Sequence, residues 1–215
     1  NAFGKILESR LEATYALPQH HFSVTGAYHL VDNQVYFDTL GQAQQAASTL
    51  SVWQLIVAKD FALGAFHLDN QLVFQRSSED FVRLPALFGK HSLFYLDDWF
   101  REALRVRIGL DLRYTSAYPS ITYSPVIGNF HLQDEQLLPL LPLLDAYMSI
   151  RVSKFKAYAK IENLRYLWVR QPTDADGNVL DLSDSANWRL YYPTAFYPLP
   201  NATGFRFGIR WRFLD

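Results

Sequence analysis

Apolar and charged residues alternate strictly near the C-terminus. Phe205, Phe207, Ile209, Trp211 and Phe213 hold one set of alternate positions, and Arg206, Gly208, Arg210, Arg212 and Leu214 hold the other. Successive side chains of a β-strand point to opposite faces, so the pattern predicts a strand with an aromatic face and an arginine-rich face. A strand between lipid and a watery lumen has this division. An amphipathic edge strand of a soluble β-sandwich is the alternative interpretation of this segment alone.

The same alternation recurs upstream. It is clearest where Leu104, Val106, Ile108, Leu110 and Leu112 alternate with Arg105, Arg107, Gly109, Asp111 and Arg113. Weaker alternation over residues 3–17, 22–30, 65–76 and 156–168, together with strand candidates at 49–61, 92–100 and 145–153, brings the total to about nine predicted strands. Residues 49–61 are strand-rich but have apolar side chains in both phases, which a β-bulge or a segment buried on both sides would explain.

The predicted connections alternate between short and long. Short ones fall near residues 17–19, 63–64, 101 and 154, and long polar ones near 40–48, 77–90, 115–142 and 170–203. Outer-membrane barrels have short periplasmic turns and longer external loops. The pattern therefore predicts an all-β fold, an antiparallel transmembrane β-barrel, with residues 1–215 forming a single barrel region.

Composition narrows the class of protein. Apolar residues make up 49% of the chain and aromatic residues 16%, yet the mean hydropathy is −0.08. No apolar run is long enough for a membrane helix, but alternating barrel strands average to this value. With no cysteine the chain has no disulfide or thiolate metal site, and a net charge of −1 gives no overall field that favours nucleic acid.

Sorting charges by strand face identifies the candidate functional residues. The predicted pore-lining set is Arg105, Arg107, Asp111, Arg113, Lys156, Lys160, Glu162, Arg206, Arg210 and Arg212. The predicted lipid-facing set is Leu104, Val106, Ile108, Leu110, Leu112, Phe205, Phe207, Ile209, Trp211 and Phe213. The cations fit a pore wall that favours anionic solutes, or, in the more common arrangement, arginines that pair with carboxylates or hold a plug.

Enzymatic and metal chemistry have little support in the sequence. No nucleophile elbow, glycine-rich phosphate loop or His-x-x-x-His spacing occurs, so we predict no enzymatic activity and no cofactor. Asp174, Asp176 and Asn178 partly resemble a calcium loop, which lacks the bidentate Glu and is explained more simply by an Asp-Gly turn. His20 and His21, if adjacent on a strand, would point to opposite faces, which argues against a metal site.

Several short motifs together resemble the putative-porin family of Bacteroidota outer membranes. They include Lys59 to Asn70, Leu84-Pro85, Ile108 to Tyr114, the loop from Ala117 to Phe130, Tyr192-Pro193, Tyr197-Pro198 and Phe205 to Asp215. The resemblance implies a transmembrane β-barrel in the outer membrane of a Gram-negative bacterium. Family members are longer than this chain, which implies that it is the C-terminal part of a larger barrel, incomplete at its N-terminus. The odd number of predicted strands agrees with that expectation, since single-chain bacterial barrels have an even number.

The expected function is passive diffusion of small hydrophilic solutes, including anionic ones. The alternative is a barrel subunit or scaffold of a larger outer-membrane complex with a plugged lumen. The expected partners are membrane lipid, lipopolysaccharide, the barrel-assembly machinery through the C-terminal strand, small solutes and other envelope proteins, but no nucleic acid.

Overall fold

The computed structural model describes residues 3–135, 137–138, 140, 142–164 and 204–212. Nine of its strands form one antiparallel sheet. These are β1 (Leu7–Leu17), β2 (Phe22–Asp32), β5 (Leu50–Leu63), β6 (Phe66–Ser77), β7 (Leu87–Trp99), β8 (Leu104–Thr115), β13 (Leu143–Val152), β14 (Phe155–Glu162) and β15 (Gly204–Trp211). Six shorter strands lie in the connections: β3 (Val35–Phe37), β4 (Ala43–Gln45), β9 (Tyr118–Pro119), β10 (Thr122–Ser124), β11 (Asn129–His131) and β12 (Leu137–Leu138). The predicted all-β antiparallel fold is confirmed.

The sheet is a simple meander. Its strand order is β1-β2-β5-β6-β7-β8-β13-β14-β15, so each long strand pairs with the one that precedes it and the one that follows it. β1 and β15 are its two edges, and within the described residues the sheet does not close on itself. Most strands have 10 to 14 residues, enough to cross a bilayer when tilted.

Of the two explanations offered for residues 49–61, the β-bulge is wrong for the third long strand. The pairing of β5 with β2 and with β6 runs without interruption, and Trp53, Leu55 and Val57 lie on one face. The opposite face of β5 carries Val52 and Ile56 among its polar residues. Apolar side chains on both faces therefore hide the alternation, although the backbone remains regular.

Four short turns lie at one end of the sheet. The β1–β2 connection contains a 3₁₀ turn, Pro18–His20, followed by His21 in the left-handed region. Gly64 in the β5–β6 turn has φ 59°, a conformation that glycine adopts without steric cost. The β7–β8 turn has three consecutive residues with positive φ, from Phe100 to Glu102, and Ser153 has φ 49° in the β13–β14 turn. These tight connections fix the register of each hairpin.

The long connections meet at the opposite end and contact one another. Tyr36 in β3 stacks on Phe81 at 4.4 Å between ring centroids, and the Leu132 amide donates to the Phe37 carbonyl oxygen at 3.0 Å. Arg83 forms an ion pair with Asp134. β3 pairs with β4, β9 with β12, and β10 with β11. The expectation of an irregular loop over residues 115–142 is therefore wrong in part.

The described residues form a small apolar core. Eight apolar residues among them are buried: Ala27, Ala46, Leu50, Phe94, Val106, Leu132, Leu138 and Leu164. The four largest aromatic and aliphatic side chains of β15, in contrast, are 60 to 72% exposed. A soluble sandwich would bury such a face against a second sheet, so the covering of this face has to come from outside the described chain.

Candidate functional site

The register of the sheet divides the nine long strands into two faces. The apolar face carries Phe205, Phe207, Ile209 and Trp211 of β15, opposite Ile161, Ala159, Ala157 and Phe155 of β14. The pattern continues through Met148 and Ile108 to Leu93, Phe66 and Leu11 on the strands toward the other edge. The opposite face, called the polar face below, carries most of the charged residues of the sheet. The candidate site is built on this polar face.

Nine of the ten predicted pore-lining residues lie on the polar face, and the tenth, Arg212, follows the end of β15 and lines a cavity with Arg210. The register of the strands places the nine on that face. Arg107 lies opposite Ser149, Asp111 opposite Asp145, Lys160 opposite Arg206, and Lys156 opposite Arg210. The predicted lipid-facing residues share the apolar face, where Val106 is buried, while Phe213 lies outside the described residues. The faces are thus as expected, whereas pore lining and lipid contact remain predictions.

Asp145 holds the best-paired charge on the polar face. Its side chain is 1% exposed, with the Arg113 guanidinium at 2.7 Å and the Lys160 ammonium at 2.9 Å. The Asn163 backbone amide donates to the other carboxylate oxygen at 2.8 Å. Farther along, Glu162 pairs with Arg206 at 2.9 Å. Three cations and two carboxylates on β8, β13, β14 and β15 therefore pair with one another at this end of the sheet.

Arg107 is fixed by aromatic rings. Its guanidinium lies 3.7 Å from the centroid of Phe94, and its Nε donates to the Tyr147 hydroxyl at 3.1 Å. That hydroxyl is also 3.2 Å from Ser92 Oγ, which donates to Asp111 at 2.6 Å. A guanidinium held over a ring face gains a cation–π interaction and loses side-chain freedom. Arg107 and Asp111 are therefore joined through two hydroxyl groups.

A row of carboxylates crosses five strands beside this network. Asp60, Asp69, Ser92, Asp111 and Asp145 are successive register partners on β5, β6, β7, β8 and β13. A cavity of about 450 Å³ opens here. It is lined by Ala58, Asp60, Asp69, Asn70, Gln71, Lys90, Ser92, Arg107, Asp111 and Tyr147. Carboxylates, ammonium, guanidinium and hydroxyl groups together form a wall that hydrogen-bonds water and hydrophilic solutes.

A row of cations crosses four strands nearer the short turns. Arg105, Arg151, Lys156 and Arg210 are successive register partners on β8, β13, β14 and β15. Arg105 also pairs with Asp98 on β7, through bonds of 2.8 and 2.7 Å. A second cavity, of about 420 Å³, is lined by Arg151, Ser153, Lys154, Phe155, Lys156, Arg210 and Arg212. Along β8 the two rows are six residues apart, or about 20 Å.

Sequence reasoning missed five charged residues that the structure places in the rows, pairs and cavities of this face: Asp60, Lys90, Asp98, Asp145 and Arg151. Asp145 and Arg151 could have been found, because Asp145, Tyr147, Ser149 and Arg151 alternate with Ala146, Met148, Ile150 and Val152. The faces of that segment were not assigned. Asp60 was hidden by the mixed pattern of β5.

Metal chemistry has no support in the part of the chain that the structure describes. No cluster of three His, Cys, Asp or Glu side chains there could hold a metal ion. The calcium-like segment from Asp174 to Asp184 lies outside the described residues. His20 and His21 lie in the β1–β2 turn rather than on a strand, so the expectation that they share one strand is wrong.

The decisive observation on identity comes from the comparison with protein families. A family model described as "Putative porin" matches residues 1–215, the whole chain. The chain belongs to this family. A search of curated proteins finds no match.

Membership of the putative porin family agrees with the two-faced antiparallel sheet. Family and fold together fit a porin-like outer-membrane protein. Among the described residues, no helix has the length and apolar character needed to span a membrane.

Proposed function

We propose that this member of the putative porin family is an outer-membrane β-barrel that lets small hydrophilic solutes diffuse passively. The observation that carries the proposal is the continuous separation of the two faces over nine strands in register. The apolar face would contact lipid, and the polar face, with its two cavities, would line an aqueous lumen. The role is transport rather than catalysis.

The proposal includes an orientation and a closed sheet. Short turns of outer-membrane barrels lie in the periplasm, so Gly64 and Ser153 would face that side and the long connections the exterior. Unpaired backbone groups cost several kcal/mol each in lipid, so the free edges of β1 and β15 would be paired within the membrane. Membrane lipid and lipopolysaccharide would cover the apolar face, and the barrel-assembly machinery would recognise β15.

Conductance of the purified full chain tests the proposal. The protein is folded in detergent, its folding is checked by heat-modifiable electrophoretic mobility, and it is inserted into planar bilayers. Discrete conductance steps are expected, and liposomes containing the protein should take up sugars at rates that fall with sugar size. Liposomes with heat-denatured protein are the control. Folded protein that gives neither conductance nor sugar uptake would contradict the proposal.

A second candidate function is a barrel subunit or scaffold with a plugged lumen. The contacts among the long connections favour it, since Tyr36 and Phe81, Arg83 and Asp134, and Phe37 and Leu132 join three of them. Removing residues 37–43, from the end of β3 to the start of β4, would then open conductance that the intact protein lacks. Envelope proteins that co-purify in stoichiometric amount in mild detergent would also support the scaffold function.

A further inference from the structure

The row of cations near the short turns contains an uncompensated concentration of positive charge. Arg151 faces Lys156, and Lys156 faces Arg210 across the next strand pair. Side chains directly opposite have Cβ atoms about 4.5–5.5 Å apart, and like charges in such pairs destabilise a sheet. That spacing is shorter than the Debye length of about 8 Å at physiological salt, so dissolved ions screen the repulsion only in part.

Carboxylates pair with four other cations of the polar face but not with these. Arg105 has Asp98, Arg113 and Lys160 have Asp145, and Arg206 has Glu162. Within the described part of the chain, Arg151, Lys156, Arg210 and Arg212 form no ion pair. Asp98 and Glu102 both act on Arg105, and Asp98, which Arg105 holds in a bidentate pair, acts only at longer range on Arg151.

The same four cations line a cavity. It measures about 420 Å³, within the range of small-molecule sites, and the β13–β14 turn from Ser153 to Phe155 forms part of its wall. Arg212 continues the polar face beyond the end of β15, where its amide donates to the Lys154 carbonyl oxygen at 3.2 Å. With Lys154, three arginines and two lysines therefore line one space.

We propose that this cavity is a binding site for small solutes that bear phosphate groups. Guanidinium groups match phosphate geometry in bidentate pairs, and the ammonium of Lys156 supplies a further charge in the middle of the row. A multivalent oxyanion would replace the repulsion between opposite cations with attraction. This site rests on the proposed function, because it requires that the polar face be in contact with water. It would concentrate phosphorylated solutes at the short-turn end of the lumen.

Calorimetric titration of the folded full chain with pyrophosphate tests the site. Binding is expected to weaken as salt is raised from 50 to 500 mM, because the contacts are ionic. Lys156→Gln or Arg210→Gln should weaken binding about tenfold or more, since one charge-assisted contact is lost. Arg212→Gln changes a residue beyond the end of β15, so it should weaken binding without disturbing the strand pairing.

The matched control removes one arginine from the apolar face of β6. Arg76→Gln has the same change in charge, and it should bind pyrophosphate like the unchanged protein. Lys156→Arg keeps the charge and should retain binding within a few-fold. Absence of pyrophosphate binding by the folded protein, or equal binding by Arg212→Gln and Arg76→Gln, would overturn the proposal.

Binding is measured in detergent, independently of conductance. Protein that binds pyrophosphate but neither conducts nor takes up sugar would refute the proposed function and support the site. Protein that conducts but does not bind pyrophosphate would refute the site alone.

Discussion

Replacing Asp145 by asparagine should be among the most destabilising changes on the polar face. The Asp145 side chain is 1% exposed. Its carboxylate forms ion pairs with Arg113 at 2.7 Å and Lys160 at 2.9 Å, and it accepts a hydrogen bond from the Asn163 amide at 2.8 Å. Asparagine keeps the size of the side chain but removes the charge. Two cations would then face each other across β13 without the carboxylate between them.

The expected cost of Asp145→Asn is about 3 kcal/mol in the free energy of unfolding. Removing one partner of a buried ion pair costs about 3–5 kcal/mol. The lower end applies because the Arg113 side chain is 40% exposed and that of Lys160 27% exposed, so water screens part of the repulsion.

Asp98→Asn is the matched control. Asp98 also binds an arginine, at 2.7 Å, but its side chain is 32% exposed and that of Arg105 is 49% exposed. Exposed pairs contribute about 0–1 kcal/mol. Urea unfolding of both variants in lipid vesicles, followed by tryptophan fluorescence and electrophoretic mobility, gives the two values. Equal losses of stability for the two variants would refute the argument that burial decides the strength of these pairs.

Three further predictions concern other parts of the chain. Gly109→Ala would place a Cβ atom 2.7 Å from that of Phe94, so unfolding experiments should show a loss of about 1–3 kcal/mol, whereas Gly26→Ala, with open space around it, should change little. Phe207→Lys, on the apolar face, should cost about 2–4 kcal/mol in lipid vesicles; a near-zero cost would argue against lipid contact there. Hydrogen bonds from the Gln42 amide and the Gln44 side chain lower the pKa of Asp38. These hydrogen bonds should stabilise loop residues 37–43 at pH values above 3.8, the ordinary pKa of an aspartate. The stabilisation should be lost as the pH falls through the lowered pKa, which amide NMR would show. An unchanged pH response in Asp38→Asn would contradict this.

The face of each strand was predictable where only one face is apolar. Phe207 and Arg206, or Ile108 and Arg107, differ so strongly that alternation alone separates them. On β5 the faces could not be assigned from the sequence, because the polar face carries Val52 and Ile56 and apolar side chains therefore occur in both phases. Sequence periodicity depends on the difference in polarity between the two faces of a strand, so it gives no assignment where both faces carry apolar side chains.

The partners of the charged residues were not predictable in the same way. Arg113 and Asp145 are 32 residues apart, and their contact depends on how β8 and β13 are aligned. The intervening connection contains four short strands, which set the alignment through contacts that local sequence does not report. The row from Arg105 to Arg210 likewise requires the register of three strand pairs, so sequence alone could sort the cations by face but could not place them side by side.

The lack of a side chain at Gly109 has a consequence for engineering. The Tyr147 ring occupies the space that a Cβ would fill, at 2.8 Å, and from there its hydroxyl orients Arg107 and reaches Ser92. A position with no functional group of its own thus determines where a fixed positive charge points. Under the proposed transport function, laboratory evolution of solute preference should therefore respond to changes at residue 109, which does not itself line the cavity.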